Sequence, residues 1–329
     1  RGLGDVYKRQ GVAPIQNLRP NTQYFYALTL TGTPPDQNGR PYPSFSTFPP
    51  AGQRQSFAFA FGSCFRPKDD SAGKIFDALD KRRQLDNLRF ILLIGDQIYA
   101  DAYQYNGIGK IACTLQEYRD VYTYTWSRPP LQRLLTNLPT FMTLDDHEVD
   151  DDWHWVDSSR QLATIPWWNR LSRWWNKHPP EERQLSLQRV QDALQAYWEH
   201  QGMHAPPLAH APDLDAKGQY ELPTGAPGSL AYTFTFGAAA FFVMDTRTMR
   251  VRNSWEQIML GEAQWQALQN WLLAVKDAYP VKFLVTSSAF LFRMWSDIPK
   301  DRWSGYHEER DYLLHFIAAH GIAGVYFLA

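Results

Sequence analysis

The sequence predicts an α+β fold in which two packed β-sheets carry helices on their outer faces. Three observations predict it. The run Phe90–Ile94 is apolar throughout and stops at Gly95, which marks a short strand buried on both faces rather than a helix. Around it, segments of strand and helix character follow one another as β-α-β-α-β, then a hairpin, then α-β-α-β, the rhythm of sheets joined by right-handed crossovers. Apolar residues make up 44% of the 329 positions, enough for a large core in one large domain or in one large and one small.

The bulk composition excludes several classes. The formal net charge of -1 provides no global field for nucleic acid or for an anionic membrane. No apolar run approaches the roughly 18 residues of a membrane span. Two cysteines, Cys64 and Cys113, are too few for a disulfide framework in a chain of this size. The 13 Trp, 17 Tyr and 19 Phe imply large aromatic clusters, an aromatic-lined cleft, or both. Residues 1–11 show no period and read as a non-native or disordered leader, and the apolar run Gly324–Ala329 reads as an interrupted strand. Both ends are therefore expected to be fragment ends, which leaves localisation open.

Residues 12–50 read as part of an N-terminal β-sandwich, a spacer or lid. Leu18–Leu30 opens on a Pro-Asn turn and then alternates, with Tyr24, Tyr26, Leu28 and Leu30 on one face. A loop rich in Pro, Gly and Asn leads to a second strand, Ser44–Phe48. Residues 51–329 form the main domain. Its first strand is Ser56–Cys64, followed by a helix over 71–85 that Ser71 or Asp70 can cap. The buried strand at Phe90–Ile94 completes a β-α-β unit. Helices over Leu115–Tyr124 and Pro129–Leu138 precede a third strand, Thr140–Leu144.

Residues 153–210 differ in texture and read as an insertion packed over the sheet edge. Seven tryptophans lie here among Arg, His and Pro, and they read as packing for the insertion rather than as a ligand platform. Glu181–His200 has the apolar spacing of a single amphipathic helix. A Pro- and Gly-rich loop spans Gly202–Gly228. The hairpin Leu230–Phe236 and Ala239–Met244 follows, then a helix over Gly261–Ala278, a strand Lys282–Val285, a helix over Tyr306–His320 and the last strand.

The chemistry collects where strands end. Cys64 closes the first core strand, Asp96 and Tyr99 follow the second, and Asp146-His147 follow the third. Each has a bland reading alone: a cysteine is often a small buried hydrophobe, and an acidic loop is often a solvated one. Their occurrence at successive strand ends favours a metal site. A thiolate, a carboxylate and a phenolate suit trivalent iron or zinc, and further oxygens suit calcium or another hard cation. The carboxylates from Asp145 to Asp152 would repel one another without a cation.

Three segments, Phe61-Gly-Ser-Cys64, Gly95-Asp-Gln-Ile-Tyr-Ala-Asp101 and Asp145-Asp-His-Glu148, resemble the PhoD-like alkaline phosphatase and phosphodiesterase family of the calcineurin-like metallophosphatase superfamily. Asp245-Thr-Arg247, Thr286-Ser-Ser288, and Trp303-Ser-Gly-Tyr306 with Arg310 extend the likeness over roughly residues 15 to 329. The resemblance implies a four-layer metallophosphatase-like sandwich of two mixed sheets flanked by helices, preceded by a partial β-sandwich. It implies metal ligation by Cys64, by a bridging Asp96, by Tyr99 and by Asp146, with His147 contacting phosphate and protonating the leaving oxygen. It implies a binuclear or multinuclear centre of Fe(III) with Ca(II), although composition does not separate these from zinc or manganese. Its substrates would be small-molecule phosphoesters, attacked by a metal-activated hydroxide, with no sequence-specific nucleic acid. Secretion or a periplasmic location is compatible with the family.

Two departures matter. Asp150 and Asp151 stand where the family usually has Asn, and so change the charge beside the second metal. The family also continues into a Gly-Asp-x-His segment past the last strand, so weak or absent activity is expected of this chain. Arg247 reads as a structural partner before a phosphate contact. The competing readings are a purple-acid-type phosphatase, against which Cys64 argues, and a catalytically inactive binding module that keeps the fold.

Overall fold

In the computed structural model of the chain, residues 12–29, 32–34, 36, 38–39, 41–70, 73–206, 230–291 and 301–329 are described. The expected leader at 1–11, the candidate cap Ser71 and most of the loop 202–228 lie outside them.

Two short antiparallel strands come first, β1 (Gln23–Phe25) and β2 (Ser44–Ser46), with Tyr24 opposite Phe45. The alternation over 18–30 yields only three residues of strand, because among the described residues β1 and β2 pair with each other alone and Leu28 is left exposed. Tyr24 and Tyr26 pack on Phe45 instead, and the Tyr26 hydroxyl donates to the Thr136 carbonyl at 2.7 Å, which seats the unit on the main domain.

The first main sheet contains β3 (Ala58–Gly62), β4 (Leu88–Ile94) and β5 (Thr140–Thr143), in that order and wholly parallel. Its crossovers are α1 (Lys74–Leu85), then α2 (Leu115–Trp126) and α3 (Pro129–Asn137). Helix α1 starts at Lys74 because Gly73 holds a left-handed conformation, φ 102°, and the Asp70 carboxylate accepts the Ile75 N–H at 3.0 Å from outside the helix. Central β4 buries both faces as its apolar run requires. Phe90, Leu92 and Ile94 point into the space between the sheets, whereas Ile91 and Leu93 pack with Phe76 of α1 and with Leu131 and Leu134 of α3.

The segment expected to be an insertion carries β6 (His154–Trp155), β7 (Ala163–Thr164), α4 (Trp167–Trp175), α5 (Pro180–Arg183) and α6 (Leu187–His200). The single helix expected over 181–200 is two. The chain is extended at Gln184, and Ser186 restarts the helix by accepting the Arg189 N–H at 3.1 Å. The tryptophans also divide. Trp153 and Trp155 are buried in a core with Tyr118, Tyr122, Leu194 and Tyr197, whereas Trp167, Trp168, Trp174 and Trp175 face solvent.

The second main sheet contains β8 (Tyr232–Phe236), β9 (Ala239–Val243), β12 (Val281–Val285) and β13 (Val325–Leu328) in the order β13-β12-β9-β8, with only β8 antiparallel to its neighbour. Between β9 and β12 lie β10 (Val251–Arg252), β11 (Gln257–Ile258) and α7 (Glu262–Val275), and α8 (His307–Ala319) precedes β13. Strands β10 and β11 join β6 and β7 in a small extra sheet that sequence patterning missed, since two-residue strands carry no period. Between the main sheets, Phe234 stacks on Phe141 at 3.7 Å and on Phe241 at 4.4 Å, and Phe241 stacks on Phe283 at 4.7 Å. On the outer face, Phe242 and Leu284 pack with Leu268 and Leu272 of α7 and with Leu313 of α8. The result is four layers, helix-sheet-sheet-helix. Because β3, β4 and β5 are parallel, their carboxyl ends open on one edge.

Candidate metal centre and active site

Three turns meet at that edge. Gly95 has φ 102°, and a Cβ there would stand 2.5 Å from the Asp145 Cβ and 3.1 Å from the Ser287 Cβ, so only glycine lets the β4 turn reach the β5 turn. Glu148 ties the two together: its carboxylate accepts the N–H groups of Asp96 at 3.2 Å, Gln97 at 2.7 Å and Asp145 at 2.9 Å. The β3 turn joins through Cys64 N–H to the Gly95 carbonyl at 3.3 Å and Phe65 N–H to the Asp96 carbonyl at 3.0 Å. Cys64 and Asp96 both hold left-handed backbone, φ 63° and 56°, a conformation that costs a non-glycine residue about 1–3 kcal/mol and that these contacts enforce.

The side chains so placed converge on Asp96. The Cys64 thiol donates to Asp96 Oδ2 at 3.3 Å, and the Tyr99 hydroxyl donates to the same oxygen at 3.2 Å. Asp96, Asp146 and His147 each bring a ligand atom to within 4.8 Å of one another. The Tyr99 ring lies 4.2 Å from the His147 ring. Cys64, Tyr99 and His147 line a cavity of about 710 Å³ together with Phe61, Arg66 and Leu93.

Burial and neighbouring charge set the protonation of each group. Burial, then the charges of Asp146 and Asp145, push the Asp96 carboxyl well above its usual range. Burial, with Asp96 and Cys64 beside it, pushes the Tyr99 hydroxyl up. Burial would raise Asp146 as well, but Arg247 and His147 more than offset it and hold Asp146 below the ordinary range. Burial pulls the His147 imidazole down, but the Asp101 and Asp146 carboxylates overcome this and hold it well above its usual value. His147 Nδ1 lies 2.7 Å from Asp101 Oδ1, which leaves Nε2 to face the loop, 3.8 Å from Asp151 Oδ1. Glu148 is pushed up to about 7 by burial, against the pull of its backbone donors.

The remaining charges of the loop are spoken for. Arg247 is fully buried, 2.5 Å from Asp145 and 3.4 Å from Asp146, with Asp301 on its other side. Asp150 is fully buried in a clasp between Arg173 and Arg189, whose Nη2 lies 2.6 Å away, so its charge is neutralised on the insertion side. Asp151 lies toward His147, which it shares with Asp101 and Asp146. It accepts Asn169 Nδ2 at 2.7 Å and is pushed up to about 6 by burial and by Asp101 and Asp146.

All five residues singled out by the sequence, Cys64, Asp96, Tyr99, Asp146 and His147, lie at this one edge. Two functional neighbours were missed. Asp101 holds the histidine, and Glu148 sets the turns. Both sit inside the quoted motifs, where the invitation was visible, but a carboxylate that grips backbone amides has no sequence signature of its own. A cation fits the donor set. Asp96 Oδ1 is a buried oxygen with no hydrogen-bond partner among the described residues, in a cluster that supplies sulfur, carboxylate, phenol and imidazole donors.

A strand-edge cluster of acidic, thiol, phenol and imidazole groups on a four-layer sandwich is the kind of site found in metal-dependent ester hydrolases. The model of the PhoD-like phosphatase family matches residues 58–329, and the chain belongs to that family. It is 24% identical over 347 residues to alkaline phosphatase D of Bacillus subtilis (strain 168), a match spanning 94% of this chain and 50% of the relative. The fold is shared with a solved structure of PhoD, at a TM-score of 0.62 and 21% identity, over 87% of this chain and 53% of that one. The chain thus spans about half the length of the relatives it matches.

Proposed function

We propose that the chain is a metal-dependent phosphoester hydrolase whose hydrolytic centre lies at the carboxyl ends of β3, β4 and β5. The observation that carries this reading is the Asp96 carboxylate: one oxygen is shared by Cys64 and Tyr99, the other is buried without a partner, and Asp146 and His147 complete the cluster. Cys64, Asp96 and Tyr99 would hold one ion, and Asp96 with Asp146 a second. Iron(III) with calcium is the pair that the family resemblance implies, and zinc or manganese would accept the same donors. Bound there, the cations supply an acidified water and offset the charge that develops on the phosphoryl oxygens.

The chain's own residues do the rest. Asp101 fixes the His147 ring through Nδ1 and keeps it protonated, so that Nε2, on the side of Asp151, carries the proton available for transfer. As a water oxygen bonds to phosphorus and the P–O bond to the leaving group breaks, His147 gives that proton to the departing alkoxide. Glu148 and Gly95 hold the two ligand-bearing turns at their spacing. Arg247 acts as a buried counter-charge to Asp145 and Asp146 rather than as a substrate contact. Monoester and diester hydrolysis use the same parts, and the name of the Bacillus relative supports including the former.

The test, made on protein extended through the Gly-Asp-x-His segment that the family resemblance implies, pairs elemental analysis with hydrolysis of bis(p-nitrophenyl) phosphate and p-nitrophenyl phosphate. Bound metal and turnover that both collapse in Asp96→Ala and Cys64→Ala are expected. A protein with no stoichiometric metal and no turnover would overturn the reading and favour a binding module, and turnover that survives Asp96→Ala would move the chemistry away from this site.

A further inference from the structure

Helix α4 is amphipathic in the reverse sense of an ordinary surface helix. Its polar side faces the protein. Arg173 is buried, with Nη1 donating to Asp150 Oδ2 at 2.8 Å and to the Glu182 carbonyl at 2.9 Å, and Asn169 donates to Asp151 Oδ2 at 2.7 Å. Its apolar side faces out. Trp167, Trp174 and Trp175 are 64%, 58% and 76% exposed, and Trp168 and Leu171 share their face. These five positions form an arc of about 120° on a 3.6-residue period. A soluble surface does not gain from a continuous aromatic stripe of this size, which marks a place where something docks.

We propose that α4 is an interfacial helix that docks the protein onto an anionic lipid bilayer. Three observations choose this occupant. Trp is the side chain that settles at the boundary between headgroups and acyl chains, and here four of them lie on a projecting helix rather than in a groove shaped for another chain. Arg170, beside the arc, and Lys177, two residues past the end of the helix, are both exposed, which leaves cations near the rings free to reach headgroup phosphates while the rings enter the boundary. The segment from Ser158 to Pro180 contains no Asp or Glu, in a chain that has 34 of them, so the segment itself presents no carboxylate to an anionic surface. The net charge of the whole chain is irrelevant to such docking, because screening confines the attraction to charges near the contact. Since Asn169 and Arg173 bind Asp151 and Asp150, the docked face adjoins the candidate hydrolytic loop.

The test is co-sedimentation of the chain with sucrose-loaded vesicles of phosphatidylcholine alone and of phosphatidylcholine mixed in equal parts with phosphatidylglycerol. It needs no catalysis, so it stands whether or not the hydrolase reading does. The chain is expected to partition onto the mixed vesicles more strongly than onto the neutral ones, with brominated acyl chains quenching its tryptophan emission. Trp174→Ser with Trp175→Ser is expected to lower the partition coefficient by at least about tenfold, with unchanged far-ultraviolet dichroism, because both rings leave the boundary. Arg170→Gln with Lys177→Gln is expected to lower binding to the mixed vesicles by about fivefold per charge while leaving the weak binding to neutral vesicles unchanged. No sedimentation with either vesicle, or equal sedimentation by the double Trp variant, would overturn the proposal. So would a dimer in analytical ultracentrifugation that the Trp variant abolishes, since that would assign the face to a second copy of the chain.

Discussion

Asp96→Asn preserves the shape of the side chain and removes its charge. In protein stripped of metal, the parent must either ionise Asp96 beside Asp145 and Asp146 or hold a proton on it against neutral solvent. Asparagine does neither. Relief of that charge burden, with the unpartnered position still polar, is worth on the order of 1–3 kcal/mol, the range of ordinary single-substitution effects. At roughly 2 °C per kcal/mol for a large domain, the variant is expected to melt about 2–6 °C above the parent in chelator. Saturating cation reverses the order. A ligand at about a hundred times its dissociation constant stabilises the parent by about 2.7 kcal/mol, and the variant, which lacks the shared carboxylate, gains little. The assay is thermal unfolding by circular dichroism, in chelator and after dialysis against iron and calcium. A variant that melts below its parent in chelator would show that Asp96 is satisfied without metal, and equal cation gains for both proteins would remove it from the ligand set.

Other sites give further outcomes. Asp101→Asn takes the carboxylate from His147 Nδ1, lowers the imidazole pKa and so moves the alkaline limb of the rate profile to lower pH, with turnover down about a hundredfold and metal content unchanged; an unshifted profile would deny Asp101 this role. Gly95→Ala forces a Cβ to 2.5 Å from Asp145 at φ 102° and is expected to cost at least about 1–3 kcal/mol in urea unfolding. Glu309 accepts the N–H groups of Met259 and Leu260, and burial pushes its carboxyl from the usual 4.5 up to about 7. The folded state therefore binds the proton more tightly, so this contribution to stability is complete below pH 4.5 and is lost as pH rises through about 7. Glu309→Gln keeps an acceptor oxygen without the titration and is expected to flatten that slope, with a gain of about 2 kcal/mol at pH above 7; parallel pH–stability curves would refute it.

The layers of the fold were legible because periodicity follows burial. Phe90–Ile94 had to be a central strand, and Leu268 and Leu272 had to face a sheet. What escaped were features set by tertiary contact: the break at Gln184–Ser186 inside an apparently continuous helical period, and the four two-residue strands of the extra sheet. At the site, residue chemistry at strand ends located the cluster, since parallel strands must bring their carboxyl ends together. The partners could not be read. Nothing in the sequence tells that Asp150 turns away from the cluster into two arginines while Asp151 turns toward the histidine. Nor does composition reveal which tryptophans are inside, because α4 turns its arginine inward and its rings out.

The Asp150 clasp has a consequence for exchangeability. Arg173 and Arg189 belong to the insertion and Asp150 to the loop that carries His147, and the carboxylate has no exposure with which to find water instead. Replacing either arginine while the helices stay in place would strand a buried charge, at about 3–5 kcal/mol, a large share of what holds a domain folded. The two arginines are therefore not free to vary independently of the loop. A chain that lost them but kept the helices would first have to lose the acid, so Asp150 and the two arginines should be inherited as one trait.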